Sequence, residues 1–72
     1  MPTIDVEATA QRIDLLRLQN GLTVKDIQEV FGFANPQSVY GWIRGKALPS
    51  LDNLVVLADV LHSTLDELIV LN

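Results

Sequence analysis

Between Thr23 and Gly45 the chain starts a helix, stops it, turns and starts another, and each of these events has its own residue signal. Thr23 is a helix N-cap, with Asp26 three residues on as a shortened capping box. Val24, Ile27, Val30 and Phe31 then recur at helical spacing as one apolar side. Gly32 ends that helix at a position suited to a left-handed residue. Asn35–Pro36 starts the next, with Asn35 as N-cap and Pro36 at the first helical position. This helix spans 36–44, turns Val39 and Trp42 inward and is closed by Gly45. Two helices this short cannot bury their apolar sides against each other alone, so the rest of the chain must supply the core.

The rest is helical as well. Asp5 caps a first helix over 6–19, with Glu7 in its first turn and Val6, Ala10, Ile13 and Leu16 along one side, closed by Asn20–Gly21. Pro49–Ser50 opens a fourth helix with Leu51, Leu54, Leu57, Ala58 and Leu61 on one stripe, broken at His62–Ser63. Thr64 and Glu67 form a capping box for a fifth carrying Leu65, Leu68, Ile69, Val70 and Leu71. The expectation is an all-α bundle of five short helices in one domain, 1–72, with residues 1–5 as an extended N-terminal arm. At 72 residues and 49% apolar, nearly every Leu, Ile and Val is needed for the core. Without cysteine there is no disulfide framework or thiolate metal site, and one histidine cannot build a zinc centre. Neither a signal peptide nor a membrane-length apolar run is present, so the expected location is cytoplasmic.

A net charge of −4 points away from nucleic acid, but it is unevenly placed. All five basic residues, Arg12, Arg17, Lys25, Arg44 and Lys46, fall within 12–46, a segment with a net charge of +2. Residues 47–72 hold four acids and neither Lys nor Arg. The basic segment contains the paired helices of 23–45, whose spacing is that of a helix-turn-helix with its second helix suited to the DNA major groove. Opposite Val39 and Trp42, that helix presents Gln37, Ser38, Gly41 and Arg44, with Tyr40 to one side. Gln can pair bidentately with adenine, Ser can donate or accept, and Arg can take guanine or phosphate. Gly41 in mid-helix costs about 1 kcal/mol against Ala, explained equally by close approach to DNA or by tight helix packing. The Tyr40 hydroxyl either donates to a phosphate or simply caps a surface. Arg17 either touches DNA or pairs with an acidic neighbour. Trp42, by its spacing from Val39, reads as core rather than a stacking platform.

From Ile13 to Leu68 the chain resembles the phage-repressor and Cro type of helix-turn-helix domain, the XRE family, with its lambda-repressor-like fold. The resemblance is carried by Ile13…Leu16-Arg17, Asn20-Gly21-Leu22-Thr23, Ile27…Phe31-Gly32 and Val39…Trp42…Arg44-Gly45-Lys46…Pro49-Ser50-Leu51. Asn53-Leu54…Leu57-Ala58…Leu61 and Thr64-Leu65-Asp66-Glu67-Leu68 complete it. It implies sequence-specific binding of a double-stranded DNA operator, usually as a homodimer. It implies base reading by Gln37, Ser38 and Gly41, and phosphate contacts from Thr23, Lys25, Arg44, Lys46, Ser50 and Asn53; Tyr40 joins the phosphate set if its hydroxyl donates. Helix N-termini favour phosphate on physical grounds too. Three departures stand out. Val24 replaces the usual Gln, one extra residue lies between Gly32 and Gly45, and Ile43 occupies a usually polar position, as extra core or a partner surface.

No constellation supports catalysis. Asp66 and Glu67 are first-turn acids favoured by the helix dipole, His62 suits a helix C-terminus, and Ser38 and Ser50 lack a partner that could activate them. No cofactor or metal is expected. The apolar surplus at Val56, Val60, Ile69 and Val70 suggests a dimerisation surface. The expected function is that of a small repressor-like transcriptional regulator. The alternative is a protein-interaction or antitoxin-like module of the same fold, meeting its partner through the acidic C-terminal helices.

Overall fold

A computed structural model describes residues 1–72. Its helices are α1 (Val6–Gln19), α2 (Val24–Phe31), α3 (Gln37–Ile43), α4 (Leu51–Val60) and α5 (Leu65–Leu68). The N-terminal signals work as their chemistry requires. The side chains of Asp5, Thr23, Ser50 and Thr64 accept the backbone N–H groups of Ala8, Asp26, Asn53 and Glu67 respectively. For α3, Asn35 Oδ1 accepts the N–H of Gln37 at 3.1 Å, so Asn35 caps although Pro36 flanks the helical span.

The C-terminal ends of α2 and α4 share one device. After α2, Gly32 lies at φ 67°, its N–H bonded to Glu29 O and that of Phe33 to Gln28 O. After α4 the same two bonds run from His62 to Asp59 O and from Ser63 to Ala58 O, but the left-handed residue is His62 at φ 52°. A non-glycine in that region is strained. His62 is thus a helix stop, beyond a simple answer to the helix dipole.

The core is one cluster of Ile13, Ile27, Val39, Trp42, Leu54, Leu57, Ala58, Leu61 and Leu68, drawn from all five helices. α1 packs on α3 and α5, α2 on α3, and α4 on α5. Ile43 is half-buried and packs against this cluster, which resolves it as extra core. Three expected core positions prove exposed. Leu51 stands in the first turn of α4, where side chains lean back toward the N-terminus and overhang the core edge. Val6 has the same place in α1, and Val30 turns away while Ile27 and Phe31 face inward.

The C-terminus departs most from expectation. α5 stops at Leu68, not near Leu71, and Ile69 goes extended at φ −89°, ψ 125°. Residues 70–72 then run antiparallel to residues 3–5. The Asp5 N–H donates to Val70 O at 2.8 Å and the Asn72 N–H to Thr3 O at 2.9 Å, around an Ile4–Leu71 bridge. Thr9, 1% exposed, clamps this ribbon: its hydroxyl accepts the Val70 N–H at 3.0 Å and donates to Val70 O at 3.4 Å. One more helical turn would add weak intrahelical bonds; pairing satisfies the same backbone groups across the chain and buries a hydroxyl.

Candidate nucleic-acid interface

An aromatic cluster sets the angle between α2 and α3. Phe31 ends α2, Phe33 lies in the turn and Trp42 lies in α3. The Phe rings stack at 5.2 Å, and each meets the Trp42 indole edge-on, at 5.1 and 5.7 Å. Trp42 is 5% exposed, so it is core and offers no stacking platform. Gln28 Nε2 donates to Phe33 O at 3.1 Å and ties the turn to α2. The role of Phe33 was missed from sequence, where it fell in a turn without periodicity; its signal was an aromatic residue within reach of two others.

With Val39 and Trp42 inward, the other side of α3 faces out. Gln37, Tyr40, Gly41 and Arg44, at helical spacings of three and four, join Lys46 around a shallow open concavity of about 240 Å³. Five of the ten residues expected at DNA therefore line one surface, and none of its lining residues is acidic. The Arg44 guanidinium lies over the Tyr40 ring, 4.4 Å from its centroid. This pair was legible only as an unused i, i+4 spacing. Ser38 is exposed on the same helix outside the concavity. A Cβ placed on Gly41 would meet nothing within 4 Å, which removes tight packing as the reason for that glycine.

The five cations divide into two uses. Arg17 forms the only ion pair in the chain: its Nε and Nη2 donate to Asp14 at 2.9 and 2.7 Å, while Nη1 donates to Leu22 O at 2.9 Å. Arg12 Nη1 donates to Glu67 O at 2.6 Å. Arg17 thus braces the end of α1 against the turn that follows it, and Arg12 fastens α1 to α5. Lys25, Arg44 and Lys46 are exposed and make no ion pair, and all three belong to the segment of α2, α3 and the loop after it.

The two expected phosphate positions at helix starts look different. At α2, the Thr23 N–H donates to Asp26 Oδ2 at 2.8 Å and the Asp26 N–H to Thr23 Oγ1 at 3.0 Å. The backbone N–H and then the hydroxyl of Thr23 hold the Asp26 carboxyl below the ordinary value of 3.8. A carboxylate thus already occupies the place where the helix dipole would favour phosphate, and Lys25 is the group left free there. At α4, Ser50 is exposed and accepts from the N–H of half-buried Asn53 at 3.3 Å, with Asp52 in the same turn.

A second depression, about 330 Å³, lies at the paired termini and is lined by Ile4, Leu65, Asp66, Ile69 and Leu71. Of the residues expected at a dimer surface, Ile69 lines it and also packs on the core, whereas Val70 is half-buried in the terminal ribbon. Val56 is exposed on α4 and Val60 half-buried one turn on. No helix is long and apolar enough to cross a membrane.

Compared with known proteins, residues 13–68 match the family model described as helix-turn-helix. No curated protein and no solved structure matches the chain.

Proposed function

The chain belongs to the helix-turn-helix family, of the XRE type, a family of DNA-binding regulatory domains; from that premise we propose that residues 1–72 act as one small repressor-like regulator, without enzymatic activity, binding a double-stranded operator with sequence preference. The observation that carries this reading is the concavity on α3. It gathers Gln37, Tyr40, Gly41, Arg44 and Lys46 with two unpaired cations and no carboxylate, in a protein whose net charge is −4. Gln37 and Ser38, with Gly41, face the bases in the major groove. Arg44 and Lys46 take phosphates beside Tyr40, and Lys25, Ser50 and Asn53 extend that contact along the backbone, while Thr23 is committed to the Asp26 carboxylate. Exposed Val56 and half-buried Val60 on α4, with Ile69 at the terminal depression and Val70 in the ribbon, are the residues through which two copies pair so that each presents one α3 to a half-site. The site of action is the cytoplasm.

Selection of bound sequences from a random duplex pool at two salt concentrations tests this directly. Affinity should fall with salt at a slope of about −0.9 per phosphate engaged. Gln37→Ala should relax the base preference, while Lys46→Ala should weaken all sequences alike and flatten the slope by about one unit. Undiminished affinity in a Gln37→Ala, Arg44→Ala, Lys46→Ala variant overturns the proposal. A second reading, a protein-binding module, is favoured by the apolar depression at the termini with Asp66 on its lining. It gains support if the wild type binds no duplex at low salt.

A further inference from the structure

Gly41 and Gly45 stand four residues apart and answer to different constraints. Gly45 closes α3 with φ 73°, and a Cβ there would lie 3.5 Å from Glu7 Cα and 3.7 Å from Ala10 Cβ on α1. Its glycine serves the fold. Gly41 lies inside α3 with no positive φ and open space where its Cβ would be. Its carbonyl is engaged by the N–H groups of Lys46 and Ala47 at 2.9 and 3.3 Å, so the backbone is fastened in place. A glycine in mid-helix weakens the helix relative to alanine, and here nothing inside the molecule requires it. What surrounds the bare Cα is the concavity with Arg44 and Lys46, and Arg44 is held by the Tyr40 ring instead of by an acid.

We propose that Gly41 is a clearance for duplex DNA: its missing side chain lets the nucleic acid close to contact distance on α3, against an Arg44 that the Tyr40 ring holds in position. The inference rests on the DNA-binding reading above and deepens it. It makes Tyr40 a positioning residue, acting through its ring rather than its hydroxyl. A guanidinium over an aromatic face keeps N–H donors pointing away from the ring and free for a phosphate, whereas one paired with a carboxylate would be neutralised.

The test measures thermal midpoint and affinity for a fluorescein-labelled mixed-sequence duplex in parallel. Gly41→Ala should melt about 4–8 °C higher, the shift expected when a domain of this size regains alanine's helix preference, and should bind about tenfold more weakly. Tyr40→Phe should bind like the wild type, and Tyr40→Leu about two- to fivefold more weakly, as for the loss of an exposed cation–π contact. Higher melting with unchanged or tighter binding overturns the clearance, because an alanine side chain would then be tolerated at the duplex. Lower melting overturns it too, because the glycine would then serve the fold. A loss in Tyr40→Phe equal to that in Tyr40→Leu overturns the ring's role in favour of the hydroxyl. Wild-type protein that shows no salt-dependent binding to the duplex breaks the DNA-binding reading itself, a result separate from the other three.

Discussion

The paired helices α2 and α3 and the paired termini solve the same problem in opposite ways. Each region is short, and neither could hold its shape alone. In α2 and α3 nearly every feature is local: caps at Thr23 and Asn35, a left-handed stop at Gly32, and three aromatic rings within twelve residues of one another. At the termini the bonds that matter span most of the chain, as between Thr9 and Val70 or Thr3 and Asn72. The electrical surfaces differ as well. The α2–α3 region keeps three unpaired cations outward, while the C-terminal region is acidic and apolar with its nearby Arg12 turned onto a carbonyl. A small acidic protein can therefore present a concavity lined by cations and no carboxylate, even with Asp26 and Glu29 exposed on the neighbouring α2.

This comparison can be broken most forcefully at Trp42. Trp42→Ala should cost about 3–5 kcal/mol, much of what so small a domain has, because it removes the edge-on partner of both Phe31 and Phe33. The expected result is a chain without a cooperative thermal transition near room temperature. A well-folded variant would show that the α2–α3 angle is held by something other than the rings.

Thr9→Val probes the other region with a smaller effect, about 1–2 kcal/mol, as for the two hydrogen bonds its hydroxyl makes with half-buried Val70, the longer of them weak. Amide exchange should quicken at Asp5 and Asn72 and stay unchanged at Phe33 and Lys46. Uniformly faster exchange would mean that the ribbon is part of the global fold and that the two regions are not independent.

The smallest effect is the pH dependence of the Thr23–Asp26 box. Since folding lowers the Asp26 pKa from its ordinary 3.8, the contribution is complete above that value and is lost as pH falls through the lower folded one. Wild type should therefore melt above Asp26→Asn by a constant margin from neutrality down to the carboxylate range, and the margin should close in stronger acid. A margin that persists there would assign the difference to the amide itself.

The legible part of the molecule was the part written in short-range chemistry. Helix starts at Asp5, Thr23, Asn35, Ser50 and Thr64 could be read directly, because a cap and its N–H partner lie within three residues. Inward Val39 and Trp42 followed from helical spacing, and with them the outward row of Gln37, Gly41 and Arg44. Where sequence reasoning extended α5 toward Leu71, it applied the same periodicity to residues whose backbone partners lie at the far end of the chain. Thr9 went unnoticed for the same reason: a threonine in a helix carries no mark that a strand will need its hydroxyl. Nor could spacing alone decide between the two uses of a cation. Arg17 and Arg44 are both exposed-face arginines in sequence, but one is consumed by Asp14 and Leu22 O while the other rests on a ring.

By itself, then, the order of residues determined five helix starts, the turn between α2 and α3, and the segregation of basic from acidic residues. These depend on interactions within a few positions, whose energies are the same wherever the segment sits. Only the tertiary structure decided which cations stay free, that Gly41 faces open space while Gly45 meets α1, and that the last residues leave the helix to pair with the first. Each of those depends on what another segment brings alongside, and that is set by how all five helices share one core.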